Sequence, residues 1–211
     1  MSITPWQKQL VAKMKGGDAS SSAERIPVRA NGQLIAYLAP IGAAVAADPE
    51  LVEKLCLWRA EAMECFLTVF PPSLEATRGY LEKLAVGGED RLLFLVELPD
   101  GRRVGHIGLC NISENSAEVD NVMRGERTGV PGLMTHVSDT LCAWVRDELR
   151  AQTVYLNVLS NNQRAIESYE RSGFERKKLV WLRREEIPGG YRYVPSDEPQ
   201  PGNPQLVYME A

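Results

Sequence analysis

No CxxC pair occurs in this chain, and no histidine stands at ligand spacing from its four scattered cysteines, Cys56, Cys65, Cys110 and Cys142. That pattern speaks against a zinc site or a disulfide framework, so the thiols read as reduced and buried and no metal is expected. No apolar run approaches the ~20 residues of a membrane-spanning helix. The start, residues 1–15, interrupts its apolar residues with Gln7, Lys8 and Lys13, which leaves no signal-peptide core. A cytoplasmic protein without a membrane role is therefore expected. A basic excess is missing too: the formal net charge is −4, which argues against a nucleic-acid partner, since phosphate-backbone binding needs a basic face. Small molecules and proteins remain as partners. What is present is ordinary for a globular chain, 44% hydrophobic and 25% charged residues. A length of 211 residues suits one domain with a sizeable core.

Glycine, proline and capping residues divide the chain. Lys15–Ser22 (KGGDASSS) reads as a flexible connection, and Trp6–Met14 before it is a short amphipathic piece able to form a helix. Together they suggest a partly flexible N-terminal arm over 1–30, followed by a single domain over 31–211. Leu34–Leu38 is a strand. Asp48-Pro49-Glu50 supplies an N-cap and a first-turn proline, opening a helix to about Arg59. Ser73 caps a second helix to Ala85, with Leu74, Thr77, Leu81 and Leu84 on one face and Gly87-Gly88 at its end. Strands Leu92–Leu98, Arg103–Cys110 and Ala117–Met123 follow on short links, the first being the turn Pro99-Asp100-Gly101-Arg102, so they pair antiparallel. Beyond the glycine-rich Arg124–Gly132, a helix is expected over Leu133–Arg150, with Leu133, Val137, Leu141, Trp144, Val145 and Leu149 at helical spacing. Strand Thr153–Leu159, helix Asn162–Arg171 and strands Phe174–Leu182 and Leu206–Met209 complete the order β-α-α-β-β-β-α-β-α-β-β. The class is α/β (mixed α+β), with helices covering a mixed sheet.

Two segments carry chemistry. In Arg124–Gly132, glycines at 125, 129 and 132 let the backbone approach a ligand. The start of the following helix offers amides to a pyrophosphate. Arg124 and Arg127 add charge-assisted hydrogen bonds, and Pro131 fits a first helical turn. No Gly-Lys-Ser/Thr follows, which excludes a Walker loop, and the spacing fails for a dinucleotide fingerprint. By residue type alone, a ligand-free turn explains this loop about as well. In Asn162–Phe174, Asn162 caps a helix, Ala165 and Tyr169 share a face, and Gly173 ends the helix in the left-handed conformation before Phe174 returns to the core. Physically that is a capped helix with one core tyrosine.

The pattern N-x-x-A-x-x-x-Y-x-x-x-G-F at 162–174, one strand after a glycine-rich strand-to-helix loop, resembles the GNAT acetyltransferases over roughly residues 34–209. The resemblance implies acetyl-CoA as co-substrate and a sheet splayed between its fourth and fifth strands, Ala117–Met123 and Thr153–Leu159. It implies that Val122, Met123, Arg124, Arg127, Thr128, Gly129, Val130, Pro131, Gly132 and Leu133 line the donor site, with Asn157, Asn162, Ala165 and Tyr169. Tyr169 would protonate the leaving thiolate. The family loop reads Q/R-x-x-G-x-G/A; here Arg127 stands where its middle glycine is usual.

An amine acceptor is protonated at neutral pH and must lose a proton before attack. Strict alternation along Ala117–Met123 puts Glu118, Asp120 and Val122 on one face and Val119, Asn121 and Met123 on the other. Resemblance makes Glu118 the base, with Asp120 as a second base or the ammonium's partner and His106 a third candidate; a solvated polar face is the alternative. His136 lies mid-helix in this reading. The acceptor is expected to be a small-molecule amine, a nucleotide-linked amino sugar, held by Trp58, Phe70, His106, Asp120, Tyr191 and Arg192 under a long loop, 183–205. A protein N-terminus of the ribosomal-protein kind and a non-catalytic acyl-CoA-binding module are the alternatives. A homodimer is compatible with the family resemblance.

Overall fold

A computed structural model describes residues 2–16, 24–127 and 129–211 of the chain. Residues 17–22 of the expected flexible connection, and Thr128, lie outside the described residues. Among the described residues there are six α-helices: α1 Pro5–Met14, α2 Ala43–Ala46, α3 Pro49–Glu61, α4 Leu74–Tyr80, α5 Leu133–Asp147 and α6 Gln163–Arg171. They cover one sheet made of β1 Ile26–Ala30, β2 Gln33–Pro40, β3 Thr68–Val69, β4 Leu92–Glu97, β5 Arg103–Cys110, β6 Ser116–Arg124, β7 Thr153–Leu159, β8 Glu175–Ile187, β9 Gly190–Ser196 and β10 Gln205–Glu210. The strand order is β1-β2-β4-β5-β6-β7-β10-β8-β9-β3, and among the described residues only β6 and β7 pair parallel. Among the described residues, no helix is long and apolar enough to cross a membrane, and no three His, Cys, Asp or Glu side chains are grouped to hold a metal ion.

Two apolar layers follow from strand alternation. On one face Phe94, Ile107, Val119 and Leu156 pack with α1, α5 and α6 through Val11, Val137, Leu141 and Ile166. On the other, Leu93, Leu95 and Met123 meet α2, α3 and α4 through Leu51, Val52, Leu55, Trp58 and Leu81. Single apolar residues at period two thus sort to opposite sides of the same strand.

The N-terminal region differs from the expected arm. Thr4 and Gln7 form a capping box at the start of α1, and Val11 and Met14 are buried in the first core layer. Gln7 is fully buried; its amide donates to the carbonyls of Ser113 (3.1 Å) and Leu149 (2.9 Å). Asn31 and Gly32 both take positive φ and turn β1 back onto β2. Asn-Gly is a strong hairpin signal, here inside a stretch whose flanking Gly/Ser run suggests flexibility.

Helix starts match the caps: Asp48 Oδ1 accepts from Glu50 N (3.0 Å) and Ser73 Oγ from Ala76 N (3.1 Å). Beyond Tyr80, α4 widens into a π-helical turn over Leu81–Val86. The i→i+5 pattern rotates the face by a residue. Leu81 and Ala85 are therefore buried, while Leu74 and Leu84 are each 47% exposed. The strand expected to end at Leu182 runs to Ile187 and folds back as β9, which pairs with β3, so the expected long loop is mostly a hairpin. All four cysteines are free thiols, but Cys65 is exposed rather than buried.

Replacing Gln7 with leucine leaves the Ser113 and Leu149 carbonyls unsatisfied. The expected loss is about 1–3 kcal/mol of unfolding free energy by chemical denaturation; an unchanged midpoint would remove Gln7 as the anchor of α1.

Candidate active site

The cleft begins where the β6–β7 ladder stops. Parallel pairing runs from Ser116↔Thr153 to Val119↔Leu156. Beyond it β6 continues along β5 and β7 along β10. Asn121 takes φ +50, and the β5–β6 register shifts between His106 and Gly108, so Asp120 faces Gly108 and Met123 faces His106. This is a bulge, which adds twist and re-aims side chains. It corrects the strict alternation expected from sequence. Val122 joins Val119 on the α5/α6 side, while Met123 is buried under α3 with Glu118 and Asp120 on its side of the strand.

On the α6 side, Asn162 Oδ1 accepts from Ala165 N at 3.3 Å, and Gly173 closes the helix at φ +80. Ala165 and Tyr169 pack partly buried against the first core layer, with the Tyr169 ring 5.9 Å edge-on from Phe174. Burial, then the negative charge of Asp120, hold the Tyr169 hydroxyl protonated far above the usual phenol range.

The two carboxylates differ. Glu118 lies where the strands are still paired, opposite Tyr155, and both its oxygens are engaged: Oε1 by Asn157 Nδ2 (2.8 Å), Oε2 by Asn111 Nδ2 (2.6 Å). Asn157, expected at the donor, therefore supports Glu118. Asp120 is the first residue past the ladder, and both its oxygens accept from Asn121, Oδ1 from the backbone N–H and Oδ2 from Nδ2, each at 2.7 Å.

Around Asp120 stands a desolvated set that sequence reading did not assemble. Burial, then the charge of Asp120, push the Tyr80 phenol up to about 12. The Cys110 thiol is raised by the same two causes. Burial lowers the Arg59 pKa, while Tyr80 and Asp120 act the other way. Arg59 also stacks 3.4 Å over Phe66, stands 5.6 Å from the Phe70 ring centre and donates to Thr68 O at 2.8 Å. His106 is buried, its ring 6.1 Å from that of Trp58. No local pattern gathers these residues; helix α4, the β5–β6 register and the turn after α3 do. Tyr191 and Arg192 are engaged on β9 instead, Tyr191 beneath the Arg184 guanidinium (3.8 Å) and Arg192 on Glu185 (2.9 Å).

The donor loop begins against α3. Gly125 and Glu126 both donate their N–H to Val104 O (3.0 and 2.9 Å). A Cβ at Gly125 would lie 1.9 Å from the Trp58 ring, so only glycine fits. Lys54 pairs with Glu126 at 2.6 Å. Arg124, Arg127, Gly129 and Pro131 are exposed, and Val130 is partly buried. Pro131 precedes the helix; Gly132, at φ +64, is the N-cap of α5, and no side chain caps it. Leu133 is buried, and His136 sits in the first turns near Gly132, not mid-helix. An uncapped helix start with no acidic residue in its first turn, beside a cleft whose strands have parted, suits a pyrophosphate followed by an extended arm.

The model of the acetyltransferase (GNAT) domain matches residues 37–175. The chain belongs to the GNAT acetyltransferases. Its chemistry is accordingly acetyl-CoA-dependent transfer of an acetyl group to an amine, with acetyl-CoA as co-substrate. No curated protein matches this GNAT chain. Among solved structures it is similar to the spermidine N-acetyltransferase from Vibrio cholerae in complex with CoA and spermine, at 17% identity, covering 78% of this chain and 90% of that one, TM-score 0.59. A GNAT-family acetyltransferase from Bacillus anthracis is 16% identical over 89% of this chain and 98% of that one, TM-score 0.63. RimL, a ribosomal L7/L12 alpha-N-protein acetyltransferase in complex with coenzyme A, is 15% identical over 89% and 97%, TM-score 0.65. These likenesses speak to the fold.

Because a Cβ at 125 collides with Trp58, Gly125→Ala displaces the start of the donor loop. Calorimetric titration with CoA is expected to show affinity lower by on the order of tenfold, the weight of ~1.4 kcal/mol; an unaltered Kd would dissociate this contact from donor binding.

Proposed function

We propose that the chain acetylates a primary amine with Asp120 as the proton acceptor and Tyr169 as the proton donor. The observation that carries this assignment is that Asp120 is the first β6 residue beyond the last β6–β7 pair and acts electrostatically on Tyr169. Glu118, expected as the base, lies within the paired region opposite Tyr155, which suits a support role better. Acetyl-CoA, when bound, supplies the acetyl group as an activated thioester. The α5 start and residues 124–132 would hold its pyrophosphate, and Val122 and Asn162 its pantetheine arm. Asp120 takes a proton from the ammonium of the acceptor, freeing the nitrogen lone pair. The N–C bond forms as the C–S bond breaks, Tyr169 Oη gives its proton to the departing sulfur, and the nitrogen's second proton passes through water to restore the phenol, while Asp120 releases the first to solvent. A phenol held protonated by burial is suited to that role across the neutral range.

The acceptor proposed is an amine without phosphates. The groove beside Trp58, about 380 Å³, is lined by Glu50, Glu53, Glu61 and Glu126, with Leu57, Gly125 and Lys54. Lys54 is already paired with Glu126, so the wall presents net negative charge, favourable to a cationic amine and repulsive to a nucleotide diphosphate. Arg192 and Tyr191, expected to grip a nucleotide-linked sugar, are turned to Glu185 and Arg184.

Tyr169→Phe and Asp120→Asn are each expected to lower kcat by about 10² or more while CoA still binds by thermal shift. Full turnover by Asp120→Asn would return the base to Glu118 or water. In an acceptor panel of polyamines, aminoglycosides, peptide N-termini and nucleotide amino sugars, the cationic amines are expected to give the highest kcat/KM, at low salt most of all. A preference for the nucleotide sugar would overturn the acceptor assignment.

A further inference from the structure

We infer that His106 is a positioning residue for the reaction: through its Nδ1–H it holds the Asn121 carbonyl, and so fixes the β6 bulge that aims the Asp120 carboxylate into the cleft. The inference rests on the reading of Asp120 as proton acceptor.

Three contacts in series carry it. His106 Nδ1 lies 2.6 Å from Asn121 O. A carbonyl only accepts, so the proton of the neutral imidazole sits on Nδ1 and Nε2 is bare. Asn121 in turn donates from its backbone N–H and its Nδ2 to the two oxygens of Asp120, each at 2.7 Å. One residue therefore clamps the carboxylate at both oxygens while its own carbonyl is held from the next strand. On the far side the imidazole faces the Trp58 ring, and Gly125 presses on that same ring. The α3 wall, the bulge and the start of the donor loop are thus locked to each other.

The bulge needs such a clamp. Asn121 sits at φ +50 in the left-handed region, which asparagine enters more readily than other non-glycine residues but which interrupts the extended strand on either side, so its partners must hold it there. Nor does the ring suit proton acceptance. It is buried, which lowers its pKa to about 4, and Arg59 disfavours its cation further, against the opposing effects of the Asn121 bond and Asp120. An imidazolium there would add charge to a site already desolvated.

The test compares His106→Asn, whose side-chain amide can still donate to the Asn121 carbonyl, with His106→Leu, which cannot. His106→Leu is expected to lower kcat by about tenfold, the weight of one hydrogen bond to a strained carbonyl, and His106→Asn to restore it to within about threefold. The acid limb of the kcat/KM profile should stay in place in both. A second readout is independent of turnover: with only two histidines in the chain, nitrogen NMR of labelled protein at neutral pH should show one imidazole as the Nδ1–H tautomer, lost in His106→Asn. That measurement also stands if His106→Leu does not fold. Equal impairment of both variants, wild-type rates in both, loss of the acid limb, or an Nε2–H tautomer would each overturn the inference. Asp120→Asn assayed alongside separates the two claims. If it turns over normally, the reading of Asp120 fails, while the tautomer still reports whether His106 holds the bulge.

Discussion

Everything functional here depends on two parallel strands that pair for four residues and then part. β6 and β7 share a ladder only as far as Val119 and Leu156, while each keeps the neighbour on its other edge beyond that point. β10 lies antiparallel to β7 from Tyr155 to Leu159, and β5 follows β6 up to Arg124. Past that point the facing edges of β6 and β7 are unpaired, with α6 packed on one face of the sheet and α3 and α4 on the other. A tyrosine from one layer and a carboxylate from between the layers then act on each other without either helix leaving its core packing. The backbone edges exposed by the separation are natural partners for an extended amide-bearing arm.

A gap between strands inside a core is also a place where polar groups are stripped of water. Tyr80, Cys110, His106 and Tyr169 are all shifted toward their neutral forms, and burial is the leading cause in each. Low local dielectric strengthens what remains charged. One carboxylate, Asp120, acts on all four, and Arg59 and Arg91 are the cations near this set. The chemistry of the site thus comes from a small number of charges in a mostly neutral, buried wall. Surface pairs such as Arg192 with Glu185 sit in water and set little beyond local geometry.

The sequence was most legible where structure is local. Asp48, Ser73 and Asn162 cap the helices they were expected to cap, and the 162–174 segment folds as its spacing implies, since caps and periodic faces act within one turn. Three features escaped because they are made by partners far away in sequence. The Asn121 bulge is invisible to period-two counting, since only the β5 register reveals the extra residue. The π turn after Tyr80 changes which leucines are buried, yet Leu74, Thr77, Leu81 and Leu84 fit an ordinary helical face equally well. The β8–β9 hairpin hides behind Pro188-Gly189-Gly190, which reads as loop until β3 supplies an edge for it to pair with. For the site, the donor half was readable because its residues are consecutive. The acceptor half was not, because Arg59, Tyr80, His106 and Asp120 come from four elements.

A splay is useful only if it opens at one end and not the other, and the N-terminal helix bears on that asymmetry. At the closed end, Asn115 O accepts from Gln152 N (2.9 Å) and Thr153 N (3.0 Å), fastening the strand that enters β6 to the one that enters β7. Gln7 ties the same corner from outside, joining the carbonyl of Ser113 ahead of β6 to that of Leu149 after α5. Buried amide bonds of this kind are directional, and leaving one unmade costs more than making it gains, so the corner resists sliding as well as separation. With that end fixed, the divergence set by the bulge is transmitted as an angle between strands, not absorbed as a shift of register. An N-terminal segment that contributes no group to the chemistry thereby helps fix the width of the cleft in which the chemistry takes place.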